Sequence, residues 1–278
     1  MKIENNCLPK ISVIMGIYNC ASTLSEAVTS ILNQTITDWE LIMCDDGSYD
    51  NTLEVATALA AEDSRIKVIR NNRNMGLAAT LNHCLSRAVG EYVARMDGDD
   101  VCPCDRFQLE LNFLQRHPEY ALVSGWMDCY DAQGTYGTVR YRETPQYKDF
   151  VRGSQFCHAG CMIRRDVLQA LGGYRSTPNT ERVEDYDLWV RLYAAGYKGY
   201  NLQQVVYCMR DDRNAYHRRK FKYRINESKI SYQVYKDCHL PLSKLCYPIM
   251  PICKGFLPQW LYSFLHRKNV NQNRTERL

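Results

Sequence analysis

Four apolar runs of strand length, each breaking off at a polar turn and each followed by apolar residues at helical spacing, constrain the chain more than any other feature. Ile11-Ser-Val-Ile-Met-Gly-Ile17 is continuous, of the kind buried on both faces of a parallel sheet, and it stops at Tyr18-Asn19. Thr23 with Glu26 reads as a capping box, after which Leu24, Ala27, Val28, Ile31 and Leu32 share one helix face. The second unit has Trp39 to Cys44 as strand, Asp45-Asp46-Gly47-Ser48 as turn, and Leu53, Val55, Ala56, Leu59 and Ala60 as helix. Ile66 to Ile69 is a third strand, and the helix around Leu77, Leu81, Cys84 and Leu85 closes at Gly90. A fourth strand starts at Glu91. This alternation predicts an α/β chain with a mostly parallel sheet flanked by helices, in which ligands bind beyond the carboxyl ends of the strands.

The fourth strand ends in Met96-Asp-Gly-Asp-Asp100, three carboxylates within four residues. In extended chain Asp97 and Asp99 point to the same side, and acids this close repel one another unless a cation sits among them. Hard carboxylate oxygens suit Mg²⁺ or Mn²⁺, which keep open positions for phosphate oxygens. A solvated acidic turn is the plain alternative. What raises the metal above it is convergence, because Tyr18-Asn19, Asp45-Asp46 and Asp97 to Asp100 all stand at strand ends that the sheet gathers together. No Gly-x-Gly-x-x-Gly and no Walker loop occurs, so metal must hold any phosphates.

Beyond Pro103, a helix with Phe107, Leu111 and Leu114 leads to a strand from Ala121 to Ser124, then to a hairpin or loop from Trp126 to Tyr141. His158-Ala-Gly-Cys-Met-Ile-Arg-Arg is a short strand entering a helix that Gly172-Gly173 ends. Glu184-Asp-Tyr-Asp187 heads another helix, where the dipole favours acids but a cap needs only one. From Arg210 to Leu278 there are 15 Lys plus Arg against 5 Asp plus Glu, a net of +10, which leaves −6 for residues 1–209. The expected division is therefore an acidic catalytic domain over 1–209 and a basic, helical extension over 210–278, with Arg218, Arg219, Lys220, Lys222 and Arg224 clustered at its start. Prolines interrupt Leu245 to Leu265, which excludes a spanning helix there. Gln259 to Lys268, with Trp260, Leu261, Tyr262, Phe264 and Leu265, has the make-up of an interfacial element. Thirteen cysteines without paired spacing suit buried thiols in a reducing compartment, and the polar N-terminus carries no export signal. These features point to the cytoplasm and the inner face of an anionic membrane.

Six motifs in this order, Ile11-Ser-Val-Ile-Met-Gly-Ile-Tyr-Asn19, Ser30-Ile-Leu-Asn-Gln-Thr35, Asp45-Asp-Gly-Ser48, Asn72-Arg-Asn-Met-Gly-Leu77, Met96-Asp-Gly-Asp-Asp100 and Glu184-Asp-Tyr-Asp-Leu-Trp189, resemble the family 2 glycosyltransferases of GT-A fold. The resemblance covers about residues 9 to 210. It implies inverting transfer of a sugar from a nucleotide-diphosphate donor, commonly a UDP-sugar, with Mn²⁺ or Mg²⁺ as cofactor. By position it makes Tyr18 and Asp46 the residues that hold the base, Asp46 through the ring N–H. Asp97 and Asp99 become the Asp-x-Asp pair serving ribose and metal, with Asp99 the direct ligand. Asp185 becomes the catalytic base and His158 a lining residue of the acceptor side, with Asn19 and Glu184 also among the substrate-binding residues. The Gln-x-x-Arg-Trp sequence and clean spanning helices of processive synthases are absent, which implies one sugar per glycan or lipid-linked acceptor; nothing points to nucleic acid. Competing readings are a sugar-phosphate nucleotidyltransferase, which lacks its Gly-rich triphosphate loop here, and a non-catalytic scaffold for sugar or membrane.

Overall fold

A computed structural model describes residues 8–211 and 220–256. The alternating units form as expected: β1 (Ile11–Ile17), α1 (Leu24–Leu32), β2 (Trp39–Asp45), α2 (Thr52–Glu62), β3 (Ile66–Arg70), α3 (Leu77–Leu85) and β4 (Tyr92–Arg95). Strands β3, β2, β1 and β4 lie side by side and parallel in that order. Side chains of β1 alternate between two cores. Ile11, Val13, Met15 and Ile17 pack with Leu24, Val28 and Ile31 of α1, whereas Ile14 joins Leu81 and Leu85 of α3 on the other face. Burial on both faces is why β1 reads as an unbroken apolar run.

After β4 the chain departs from a simple parallel sheet. Helix α4 (Arg106–Arg116) leads to β5 (Leu122–Asp131), a continuous strand of ten residues that forms a hairpin with β6 (Gly134–Val139). Only the first part of β5 was legible as strand; the remainder is the hairpin reading made concrete. Strand β7 (Met162–Arg164) slots between β4 and β5 and is antiparallel to both. Helices α5 (Arg165–Ala170) and α6 (Glu184–Ala194) follow. Strand β8 (Gly199–Arg210), which has no counterpart in the sequence reading, runs parallel to β5 along nearly its whole length. Since β8 occupies one edge of β5, β7 and β6 share the other.

The C-terminal helices α7 (Phe221–Asp237) and α8 (Cys246–Gly255) pack on each other, and α7 packs on α6 and on the 3-10 turn at Tyr147–Arg152. Arg218, Arg219 and the element from Gln259 to Lys268 lie outside the described residues. Among the described residues no helix is long and apolar enough to cross a membrane. All cysteines among them are free thiols, most of them buried or partly buried, with Cys104, Cys246 and Cys253 exposed.

The edge of the sheet away from the strand ends is held by a buried carboxylate. Glu40 on β2 accepts from the Ser12 hydroxyl (2.6 Å), the Val89 amide (3.0 Å) and the Lys67 ammonium (2.7 Å), while Ser12 Oγ also accepts from Gly90 N (2.8 Å). Burial would raise the Glu40 pKa, but these donors outweigh it and hold it below its ordinary 4.5. Its contribution to stability is thus present above that ordinary value and is lost as pH falls through the lowered one. Glu40→Gln should cost about 2 kcal/mol in urea unfolding at neutral pH and flatten the acid limb of stability against pH. A variant as stable as the wild type at pH 7 would refute this role.

Candidate active site

The carboxyl ends of β1, β2 and β4 lie side by side in the sheet, and Arg95 at the end of β4 brings its charge to bear on Glu184 and Asp185 at the head of α6. At the end of β1, Asn19 adopts a left-handed backbone (φ 51°), which asparagine tolerates better than most residues. Its amide donates to Ser48 Oγ (3.0 Å) and its side-chain oxygen accepts from Tyr49 N (3.1 Å), so the turns after β1 and β2 are knitted together. Tyr18 is half exposed and meets the more exposed Tyr49 edge to face at 6.1 Å. Asp46 is buried beside them. Its oxygens accept from Asn71 Nδ2 (2.8 Å), Met75 N (2.8 Å) and Gly76 N (2.9 Å). Asp46 therefore shapes the 71–76 loop, and the three donors leave one of the carboxylate's four lone-pair positions. Gly47, at φ 74°, supplies the left-handed turn between these residues.

The acid loop after β4 is a turn, not an extended segment, and that turn rather than strand alternation gathers the carboxylates. Oxygens of Asp97, Asp99 and Asp100 all lie within 4.8 Å of one another. At its centre Gly98 leaves room for its neighbours: a Cβ there would stand 2.9 Å from Cys20 Sγ and 3.1 Å from Ile17 Cγ2, so both side chains would have to shift. Thr23, read as a helix cap, makes no side-chain cap bond; its hydroxyl donates to Gly98 O (3.0 Å) and anchors the loop to α1.

Each carboxylate of the loop has a different environment. Both oxygens of Asp97 are held by the buried Arg95 guanidinium, Nη1 to Oδ2 at 2.7 Å and Nη2 to Oδ1. Asp100 is buried, accepting from Tyr207 Oη (2.8 Å) and Arg210 N (2.7 Å). Burial, then the charges of Asp97 and Asp99, push the Asp100 pKa up to about 8. Asp99 is the exposed member. An oxygen-only cluster whose ionised forms repel each other this strongly fits a hard divalent cation, and the buried thiols nearby supply no competing ligand set.

Three residues here had no signal in the sequence reading. Arg95 sits one position before the acid motif, inside a strand. Tyr207 and Arg210 come from β8, more than a hundred residues later, and Val101 pairs with Cys208 to close the loop on that strand. The apolar and aromatic run Val205-Val-Tyr-Cys208 was the cue for β8, although it does not name its partner.

Glu184 and Asp185 open α6. Burial, followed by the Asp185 charge, pushes the Glu184 pKa up to about 7. Burial also raises Asp185, against the Tyr186 amide, the Arg95 charge and the Ser154 hydroxyl, which donates to Asp185 Oδ2 at 3.3 Å. Asp187 is differently engaged, pairing with Arg191 (2.8 Å) and Arg175 (3.2 Å) in a structural ion pair. His158 Nε2 and Tyr174 Oη are 3.0 Å apart, and Trp189 stands edge-on to the imidazole. Burial and then Arg95 lower the His158 pKa well below its ordinary value, so the ring is neutral at pH 7.

Tyr207 also accepts from Asp97 N (3.2 Å), so one phenol braces two points of the acid loop. Tyr207→Phe is expected to weaken Mn²⁺ binding about tenfold, or ~1.4 kcal/mol, in titration calorimetry. An unchanged Mn²⁺ affinity in a folded variant would show that the brace does not serve the loop.

Residues 12–172 match the model of glycosyl transferase family 2. EpsE of Bacillus subtilis (strain 168), whose name classes it with the glycosyltransferases, is 44% identical over 266 residues, covering 95% of this chain and 96% of that protein. A UDP-Gal:alpha-D-GlcNAc-diphosphoundecaprenol beta-1,3-galactosyltransferase of Escherichia coli is 29% identical over 95% of this chain and 98% of its own length. The mannosyltransferase PcManGT from Pyrobaculum calidifontis, solved with GDP-Man and Mn²⁺, superposes with a TM-score of 0.62 at 20% identity, covering 95% of this chain and 70% of that one. The fold is that of the GT-A glycosyltransferases, and the chain is a glycosyltransferase belonging to glycosyl transferase family 2.

Proposed function

We propose that this enzyme is an inverting, metal-dependent transferase that moves one sugar from a UDP-sugar to a lipid-linked glycan acceptor in polysaccharide synthesis. The observation that carries the reading is the placement of Arg95. Its guanidinium grips Asp97 of the acid loop and acts electrostatically on Glu184, Asp185 and His158, so the donor side and the α6 wall lie in one field. The similarity to a UDP-galactose transferase acting on a diphosphoundecaprenol acceptor supports the choice of donor and acceptor. Membership of the family sets aside the nucleotidyltransferase reading.

In this scheme Tyr18 packs against the base, and Asp46 offers its remaining lone pair to the ring N–H. Asn19 fixes the turn that presents Tyr18. Asp97, oriented by Arg95, faces the ribose, and Asp99, the exposed carboxylate, is the direct metal ligand with Asp97 and Asp100 behind it. Asp99 and Asp97 would hold a Mn²⁺ or Mg²⁺, which would offset the negative charge of the departing diphosphate. Asp185 takes the proton of the acceptor hydroxyl while that oxygen bonds to the anomeric carbon on the face opposite the diphosphate. The bond to the diphosphate oxygen breaks in the same displacement, which inverts the anomeric centre without a covalent enzyme intermediate. Glu184 lines the acceptor subsite beside Asp185, and neutral His158, held against Tyr174, offers the acceptor a hydrogen-bonding wall that carries no charge.

Asp185→Asn keeps the shape and most of the helix-start preference yet removes the base. Turnover should fall by ~10² to 10⁴ with UDP affinity nearly unchanged, while Glu184→Gln leaves most of the rate. In the wild type the base works only when ionised, so the rate should rise with pH through the Asp185 pKa. Burial places that limb above the 3.8 of an ordinary aspartate. An Asp185→Asn enzyme that keeps the wild-type rate and pH limb would overturn the assignment.

Asp99→Ala tests the metal role separately. Metal-dependent UDP binding in calorimetry should disappear, and a chelator should abolish wild-type transfer. Transfer that survives the chelator would rule out metal dependence whatever the variant does.

A further inference from the structure

Helices α7 and α8 leave an apolar surface that nothing in the described fold covers. On α8, Pro248 and Pro251 turn inward and are buried. Cys246, Ile249, Met250 and Cys253, at i, i+3, i+4 and i+7, form the opposite, exposed face. Phe256, 76% exposed, continues that face, and its ring meets Phe221 at the head of α7 edge to face at 5.2 Å. From Phe221 the line extends along α7 through Ile225 and Tyr232, which fall on one side of that helix. More than half of the large exposed apolar side chains among the described residues lie between Phe221 and Phe256, so this is a patch and not scattered exposure.

Charge decides what the patch fits. From Cys238 to Phe256 the chain has Lys244 and Lys254 and no Asp or Glu, and Lys236 is exposed on the side of α7 that carries Ile225 and Tyr232. A second copy of the same face would bring lysines against lysines. An anionic lipid surface complements it instead, accepting apolar side chains at the acyl boundary while headgroup phosphates meet the ammonium groups. Helix α8, of ten residues, suits lying in an interface and not crossing it.

The inner side of α7 ties this face to the acceptor wall. Ser231 Oγ donates to Val151 O (2.6 Å), just before Ser154, and Asn226 Nδ2 donates to Pro178 O (2.9 Å) and Glu181 O (3.2 Å), just before Glu184. We infer that the exposed face formed by Ile249, Met250 and Cys253 of α8 with Phe256 and Phe221 seats the enzyme on an anionic lipid surface. The benefit of such a seat rests on the lipid-linked acceptor proposed above, but the seat itself is testable without turnover.

Flotation of the full chain with phosphatidylglycerol vesicles tests it, with phosphatidylcholine vesicles as the neutral control. The wild type should float with the anionic vesicles only, and raised salt should release it. Ile249→Asp combined with Met250→Asp should lower the floated fraction at least tenfold while UDP binding and thermal unfolding stay as in the wild type. Lys244→Gln with Lys254→Gln, which leaves the apolar face intact, should lower it severalfold. A wild type that stays unbound, or an Ile249/Met250 variant that floats as well as the wild type, overturns the seat. So does a wild-type dimer in size exclusion that the same variant converts to monomer, because the face would then belong to a second copy. None of these outcomes touches the donor reading, which UDP calorimetry reports on its own.

Discussion

Arg95 carries a full charge with only 4% of its surface exposed, and the active site depends on how that charge is balanced. Burial works against the charged form, and the Asp97 carboxylate outweighs it, so the guanidinium stays protonated. Removing either partner would leave an uncompensated charge inside the protein, which is costlier than the pair itself. The consequence is geometric. With Asp97 held by Arg95 and Asp100 bonded to Tyr207 and Arg210, the turn at Gly98 leaves Asp99 as its exposed member. The same positive charge reaches the half-buried Asp185 and opposes the effect of its desolvation.

The second half of the sheet exists around the acid loop as a set of braces. Strand β8 contributes the Tyr207 phenol, the Arg210 amide and a short bridge to Val101, while α1 contributes the Thr23 hydroxyl. Below it, the buried Arg106 donates to Arg95 O and pairs with Glu110, so a second guanidinium stiffens the end of β4. Three carboxyl groups are thereby held within 4.8 Å of one another, a spacing they would not keep fully ionised on their own. A site prepared in this way needs little rearrangement when its ligands arrive.

The strand-end turns and the head of α6 are built by different means. The turns after β1 and β2 bond each other through backbone amides and side chains, with Asp46 holding the 71–76 loop beside them. The head of α6 has Ser154 and the clamp of α7 behind it. Because their supports are separate, a change in one need not disturb the other.

The sequence by itself determined the βα units, the strand-end positions of Tyr18, Asp46 and Asp97 to Asp100, and the helix headed by Glu184 and Asp185. Each of these is written in local periodicity, in turn residues and in acids placed at element boundaries, which need no knowledge of distant chain. It also supplied three acids at the head of α6, of which the family resemblance singled out Asp185 as the expected base. Only the tertiary structure gave each its surroundings, because Asp187 meets Arg175 and Arg191 whereas Asp185 faces Ser154 and the field of Arg95. Strand β8 and the antiparallel β7 were likewise decided by packing, since a short apolar run does not state which edge it will join. The bond from Tyr207 to Asp100 spans 107 residues, and the exposure of Asp99 beside the burial of Asp100 follows from it. Burial and partnership of this sort are properties of the folded neighbourhood, so they came into being only when β8 was laid against the acid loop.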